Sequence, residues 1–210
     1  MKKIFSLCFL ILSSSIAYSS ITAITENGDA VILKEDGSWS YSETNSVVDE
    51  IIEMNDMLFT KGEESTFNLK SKVASTSFWI DPKEWKFELN KQNSATEYTF
   101  SIPNTDLYGV VISEGLGMQV EELVKVAFKN AKSAAPDTRV LKKEYRMVNG
   151  HKVIHMVMRG TIQSIDFTYT GYYYSNKFGA TQFLVYTGTN LLPKYEDQIY
   201  SLLNGFDVRN

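Results

Sequence analysis

The sequence predicts an α+β protein in which an antiparallel β-sheet is flanked by helices and preceded by a small β-hairpin. Three observations carry that reading. From Thr66 onward the chain is dense in β-branched and aromatic residues, set in short runs between turn signals. Gln119 to Ser133 places Val120, Leu123, Val124, Ala127, Phe128 and Ala131 on one face, the spacing of an amphipathic helix of about four turns. The strand-like runs after Pro136 follow one another through short links, which suit antiparallel neighbours and not parallel crossovers.

The chain starts with Lys2 and Lys3, an apolar run from Ile4 to Leu12, and small residues through Ser19. A basic start, an apolar middle and a small-residue end describe a cleavable secretory leader over residues 1–19, with cleavage after Ala17 or Ser19. The run is roughly half of the ~20 residues a spanning helix needs, so no transmembrane anchor is expected after cleavage. Cys8, the only cysteine, leaves with the leader. The mature chain then has no disulfide and no thiolate chemistry. The protein is expected outside the cytoplasm, periplasmic or secreted. Formal charge is −4, and losing two lysines with the leader takes it to about −6, which disfavours nucleic acid as a partner.

Residues 20–45 carry Asn27-Gly28 and Asp36-Gly37, dipeptides that supply the positive φ of tight turns. They predict a hairpin pairing Ala30–Leu33 with Ser38–Tyr41, with Trp39 on its buried face. Thr25, Gly28, Val31, Leu33, Asp36, Gly37, Ser38, Trp39 and Tyr41 resemble the D-G-S/T-W-x-Y stretch that opens many exported bacterial proteins. Residues 46–65 read as a linker, with a short amphipathic helix over 47–59 from apolar residues at 47, 48, 51, 52, 54, 58 and 59.

In 66–210 strands are predicted at Phe67–Lys70, Phe78–Ile80, Lys86–Asn90, Tyr98–Ile102 and Leu107–Ser113, before the helix. After it come Val140–Met147, Lys152–Arg159, Ile165–Tyr174 and Ala180–Tyr186, with turns at Asn149-Gly150 and Ser175–Lys177. A last helix has Pro193 in its first turn and ends at Asn204-Gly205. Phe78, Pro82 and Trp85, the Tyr172–Tyr174 strand, and the closing Leu202-Leu203-Asn204-Gly205-Phe206 resemble the Mog1/PsbP-like family. That resemblance implies an antiparallel sheet with flanking helices and small accessory proteins, and it transfers no functional residue.

Candidate chemistry is sparse. His151 and His155 are four apart, but in a strand that spacing is roughly 13 Å, so no shared metal site is expected. No G-x-S-x-G cue appears, and Gly115-x-Gly117 lacks the third glycine of a nucleotide loop. No cofactor, metal or catalytic set is predicted. Aromatic residues concentrate between Phe167 and Tyr186, and consecutive tyrosines in a strand alternate faces. One set, Tyr173 or Tyr172 with Tyr174, is therefore expected at a groove or interface, with Trp39 as a further contact. The alternative is that these phenols merely edge the core. The function expected is a non-enzymatic binding or accessory protein of the cell envelope, with a protein or envelope component as partner. The alternative function is an extracytoplasmic hydrolase, which a pocket holding His155, a carboxylate and a hydroxyl would favour.

Overall fold

The computed structural model describes residues 21–24, 30–34, 36–41, 52–90 and 96–209. The leader lies outside them, as do the Asn27-Gly28 turn and residues 47–51 of the predicted helix over 47–59. The chain divides into two compact units, Met1–Ser46 and Val47–Asn210.

In the first unit β1 (Ile21–Ile24), β2 (Ala30–Leu33) and β3 (Trp39–Tyr41) form a three-stranded antiparallel sheet. The predicted pairing holds, with Val31 opposite Tyr41 and Leu33 opposite Trp39. Asp36 closes the loop by accepting hydrogen bonds from the Ser38 amide at 2.9 Å and its hydroxyl at 2.5 Å. Trp39 is 55% exposed beside the exposed Leu33, so the expected burial of the indole is corrected.

The second unit contains β4 (Met54–Phe59), β5 (Phe67–Lys70), β6 (Thr76–Ile80), β7 (Lys86–Leu89), β8 (Thr96–Ser101) and β9 (Leu107–Glu114). Helix α1 (Val120–Ala134) follows, then β10 (Arg139–Val148), β11 (His151–Ile162), β12 (Ile165–Asn176) and β13 (Gly179–Gly188), α2 (Leu192–Leu203) and β14 (Phe206–Val208). Eight strands form one sheet in the order β4-β10-β11-β12-β13-β9-β8-β7, and β14-β6-β5 form a second. Every pairing is antiparallel except β4 with β10. The predicted strands and both predicted long helices are present, and the α+β class holds. The short helix expected over 47–59 is corrected: residues 54–59 are an edge strand, tied to β10 by Tyr145 N–H to Glu53 C=O and Asn149 N–H to Phe59 C=O.

The hairpin turns follow their chemistry. Asn149 and Gly150 both have positive φ (48° and 82°), the two-residue primed turn whose twist matches the flanking strands. Gln163 and Ser164 make the same kind of turn between β11 and β12, at φ 50° and 67°, with no glycine to announce it.

The large sheet has a separate core on each face. On one, Phe78, Phe100, Phe183 and Phe206 pack with Tyr195, Ile199 and Leu202 of α2, and the second sheet closes over them. Phe78 meets Phe183 edge-on at 4.9 Å between centroids, a geometry that favours opposed ring quadrupoles. On the other face Leu123, Val124 and Ala127 of α1 pack on Ile154, Met156, Met158 and Tyr173. Strand periodicity deals alternate residues to the two cores, which separates Tyr172 from Tyr173. Among the described residues, no helix is long and apolar enough to cross a membrane.

Candidate functional site

Of the tyrosines expected at a groove or interface, Tyr172 and Tyr173 are fully buried, and Tyr174 alone of the three is partly exposed. Tyr172 donates to Asn204 Oδ1 at 2.7 Å on the α2 face. Burial pushes its phenol up to about 12, partly offset by Arg146. Tyr174 is half-buried against Phe206, at 5.4 Å between centroids. Tyr173 lies under α1, and its hydroxyl has no hydrogen-bond partner among the described residues.

The exposed aromatic row is a different set on the face that α1 packs against. Helix α1 sits on β11 and β12, and beyond it Tyr169, Tyr186 and Tyr108 stand opposite one another in register. Tyr169 and Tyr186 stack at 5.3 Å, Tyr186 and Tyr108 at 5.6 Å, both pairs 29° from parallel. Phe167 leans on the end of the row, 6.5 Å from Tyr186. Tyr108 is 39% exposed, while Tyr169 and Tyr186 are half-buried. Rings that stack along a sheet hide much of their faces in one another. Burial raises the Tyr169 and Tyr186 phenols, and each has the next tyrosine as a further cause. They therefore stay neutral donors at physiological pH.

Two hollows flank this row. A cleft of about 330 Å³ runs beneath the second half of α1, walled by Ala127, Ala131 and Ala134 above and by Met158, Tyr169 and Leu184 of the sheet. At the other end a shallower depression of about 390 Å³ lies over β7 and β8, with Lys86 and Glu88 at its rim and Tyr108 and Tyr186 in its wall. Tyrosines 169, 186 and 108 thus join two concavities on one sheet face.

The α2 face holds the group that the hydrolase reading needs, in a closed form. Glu144 stands opposite His155, and His155 opposite Tyr172. Arg146, 5% exposed, donates to Glu144 Oε1 at 2.6 Å and to the Tyr172 hydroxyl at 3.3 Å, with its guanidinium 4.3 Å over the Phe59 ring. Burial alone would raise the Glu144 carboxyl, but hydrogen bonds from Arg146, Asn55 and Lys142 hold it at about 2. His155 is completely buried, and among the described residues neither ring nitrogen finds a hydrogen-bond partner, although Nδ1 comes within 3.4 Å of Glu144. Desolvation first, and the Arg146 charge second, push the imidazole down to about 3, so it is neutral. The histidine is therefore neutral and sealed in the interior, beside a carboxylate already engaged by arginine.

Two further polar groups hold loops. The buried Glu97 accepts from Ser71 Oγ at 2.7 Å and from the Lys72 amide at 2.5 Å, fixing the β5–β6 turn. His151 pairs with Asp207 at 3.3 Å. Among the described residues, no group of three or more His, Cys, Asp or Glu could hold a metal.

The antiparallel sheet with α2 and a second small sheet on one face and α1 on the other is the PsbP-like fold. The solution structure of cyanobacterial PsbP (CyanoP) from Synechocystis sp. PCC 6803 matches with a TM-score of 0.52 and 13% identity, over 70% of this chain and 94% of that one. LpqN, described as involved in cell envelope biogenesis of Mycobacterium tuberculosis, gives 0.48 and 10% identity over 69% and 90% of the two chains. No family model and no curated protein matches the sequence. At these identities the likeness is one of fold.

Proposed function

We propose that this chain is an exported, non-enzymatic accessory protein of the cell envelope that binds a protein partner through the sheet face carrying Tyr169, Tyr186 and Tyr108. The observation that carries this reading is the stacked, partly exposed tyrosine row between two hollows. Tyrosine brings a large rigid apolar surface and a polar tip at low entropic cost, which is why interfaces concentrate it. Export rests on the leader-like residues 1–19, and the accessory role accords with the fold. Trp39, exposed beside Leu33 in the first unit, is proposed as a second contact.

Capture from extracts of the native host's envelope tests the reading. Wild type is expected to retain a partner that Tyr108→Ala/Tyr186→Ala loses, the variant still unfolding cooperatively at a melting temperature lowered by the lost stacking. Truncating a central interface tyrosine costs about 2 kcal/mol or more in binding, roughly thirtyfold in affinity. A variant that folds normally and captures the same proteins as wild type would remove the tyrosine row from consideration.

A further inference from the structure

The cleft beneath α1 has the composition of a small-molecule site, and this inference stands apart from the protein partner proposed above. Its volume of about 330 Å³ is set by small side chains, Ala127, Ala131 and Ala134, where the helix faces the sheet. That is roughly twice the ~150 Å³ of an engineered apolar cavity that accepts one benzene, and it falls within the range of natural ligand pockets. The wall is mainly apolar, with Met158, Leu184 and Ile112 from three strands.

The same wall contains a polar group left unsatisfied. Tyr173 is wholly buried, lines the cleft, and has no hydrogen-bond partner for its hydroxyl among the described residues. Buried hydroxyls almost always have a partner; this one has no accessible surface in the empty cleft, so a ligand oxygen reaches it by displacing the adjoining wall. Gln182, directly across from Tyr173 on β13 and 6% exposed, lines the cleft too and adds an amide that can donate and accept. Among the described residues no lysine, arginine or histidine lines the space, and the one charged residue that does is the exposed Glu114. An anion entering it would lose hydration with no cation in return.

We propose that this cleft binds one neutral amphiphile, with its apolar body along Ala127, Ala131, Met158 and Leu184 and a hydroxyl or carbonyl oxygen accepting from the Tyr173 hydroxyl. Titration calorimetry with 1-decanol and with decanoate, backed by amide chemical-shift mapping, tests it. Saturable one-site binding of decanol is expected, with shifts on α1, β12 and β13, and decanoate at least tenfold weaker. Tyr173→Phe keeps the ring and deletes only the unpartnered hydroxyl. It should weaken decanol binding about fivefold while leaving the melting temperature undiminished. Ala131→Phe fills the cleft and should abolish binding; should that variant misfold, Ala134→Trp blocks the open end of the cleft, where Ala134 lines it and is exposed. No saturable binding of decanol, equal or tighter binding of decanoate, or unchanged affinity in Tyr173→Phe would each overturn the proposal. None of those results bears on capture of a protein partner through Tyr108 and Tyr186.

Discussion

At the scale of single residues, adjacent tyrosines take opposite fates because a strand alternates. The composition of Phe167 to Tyr186 announced an aromatic concentration, and alternation correctly separated Tyr172 from Tyr173. Which phenols reach solvent depends on what covers each face, and that is not a local property. Tyr172 is spent on Asn204 and Arg146, while Tyr108, more than sixty residues from Tyr172, ends in the exposed row. The Arg146 cluster makes two predictions. Arg146→Met would leave the Glu144 carboxylate and the Tyr172 hydroxyl without their buried partner. It should cost about 3–5 kcal/mol, read by urea denaturation. The second concerns pH. Folding depresses His155 from 6.5 to about 3. Between those values the unfolded chain binds a proton that the native one does not. Stability is therefore full above pH 6.5 and falls as pH drops toward 3, by about 1.4 kcal/mol per pH unit once the unfolded histidine is charged. Glu144, depressed from 4.5 to about 2, adds loss in the same direction over its lower window. His155→Phe keeps the ring packing against Tyr172 and Tyr200, and should flatten the decline between pH 6.5 and 4.5 in melts recorded across that range. An unchanged slope would show that the histidine is not held neutral.

At the scale of elements, the long periodic segments were legible and the short or one-sided ones were not. Helix α1 and the strands of the meander have dense apolar faces, so their periods match their burial. In β4 the apolar residues Met54, Met57 and Leu58 are exposed, and their spacing imitated a helix although only Asn55 and Phe59 turn partly inward. Pairing with β10 overrides that local signal. The three-residue β14 was too short to separate from the end of α2, yet its entry is sterically tight. A Cβ on Gly205 would lie 1.8 Å from the Trp79 carbonyl oxygen, and the Gly205 carbonyl accepts from the Trp79 amide at 2.7 Å. Backbone cannot swing aside as a side chain can. Gly205→Ala should cost about 3 kcal/mol or more and lower the melting temperature by several degrees. An alanine variant as stable as wild type would mean the second sheet is not clamped there.

At the scale of the whole molecule, the tyrosine row exists only because of strand order. Placing β13 between β12 and β9 brings Tyr186 next to both Tyr169 and Tyr108, and placing α1 over β11 and β12 leaves that row beyond the helix. Fold class could be read from turn chemistry and periodicity, because those are local. The site could not, because β9 reaches β13 across an intervening helix and three strands. Two of the tyrosines that the sequence places on an uncovered sheet face, Tyr172 and Tyr173, are buried instead. The central claim is that this face meets a partner, and site-specific photocrosslinking in the native host tests it most directly. A benzophenone side chain is placed at position 108 and, separately, at position 196, exposed on α2. The proposed function predicts a discrete protein adduct from position 108, lost when Tyr186→Ala is added, and none from position 196. Adducts from position 196 alone, or the same products from both positions, would contradict it.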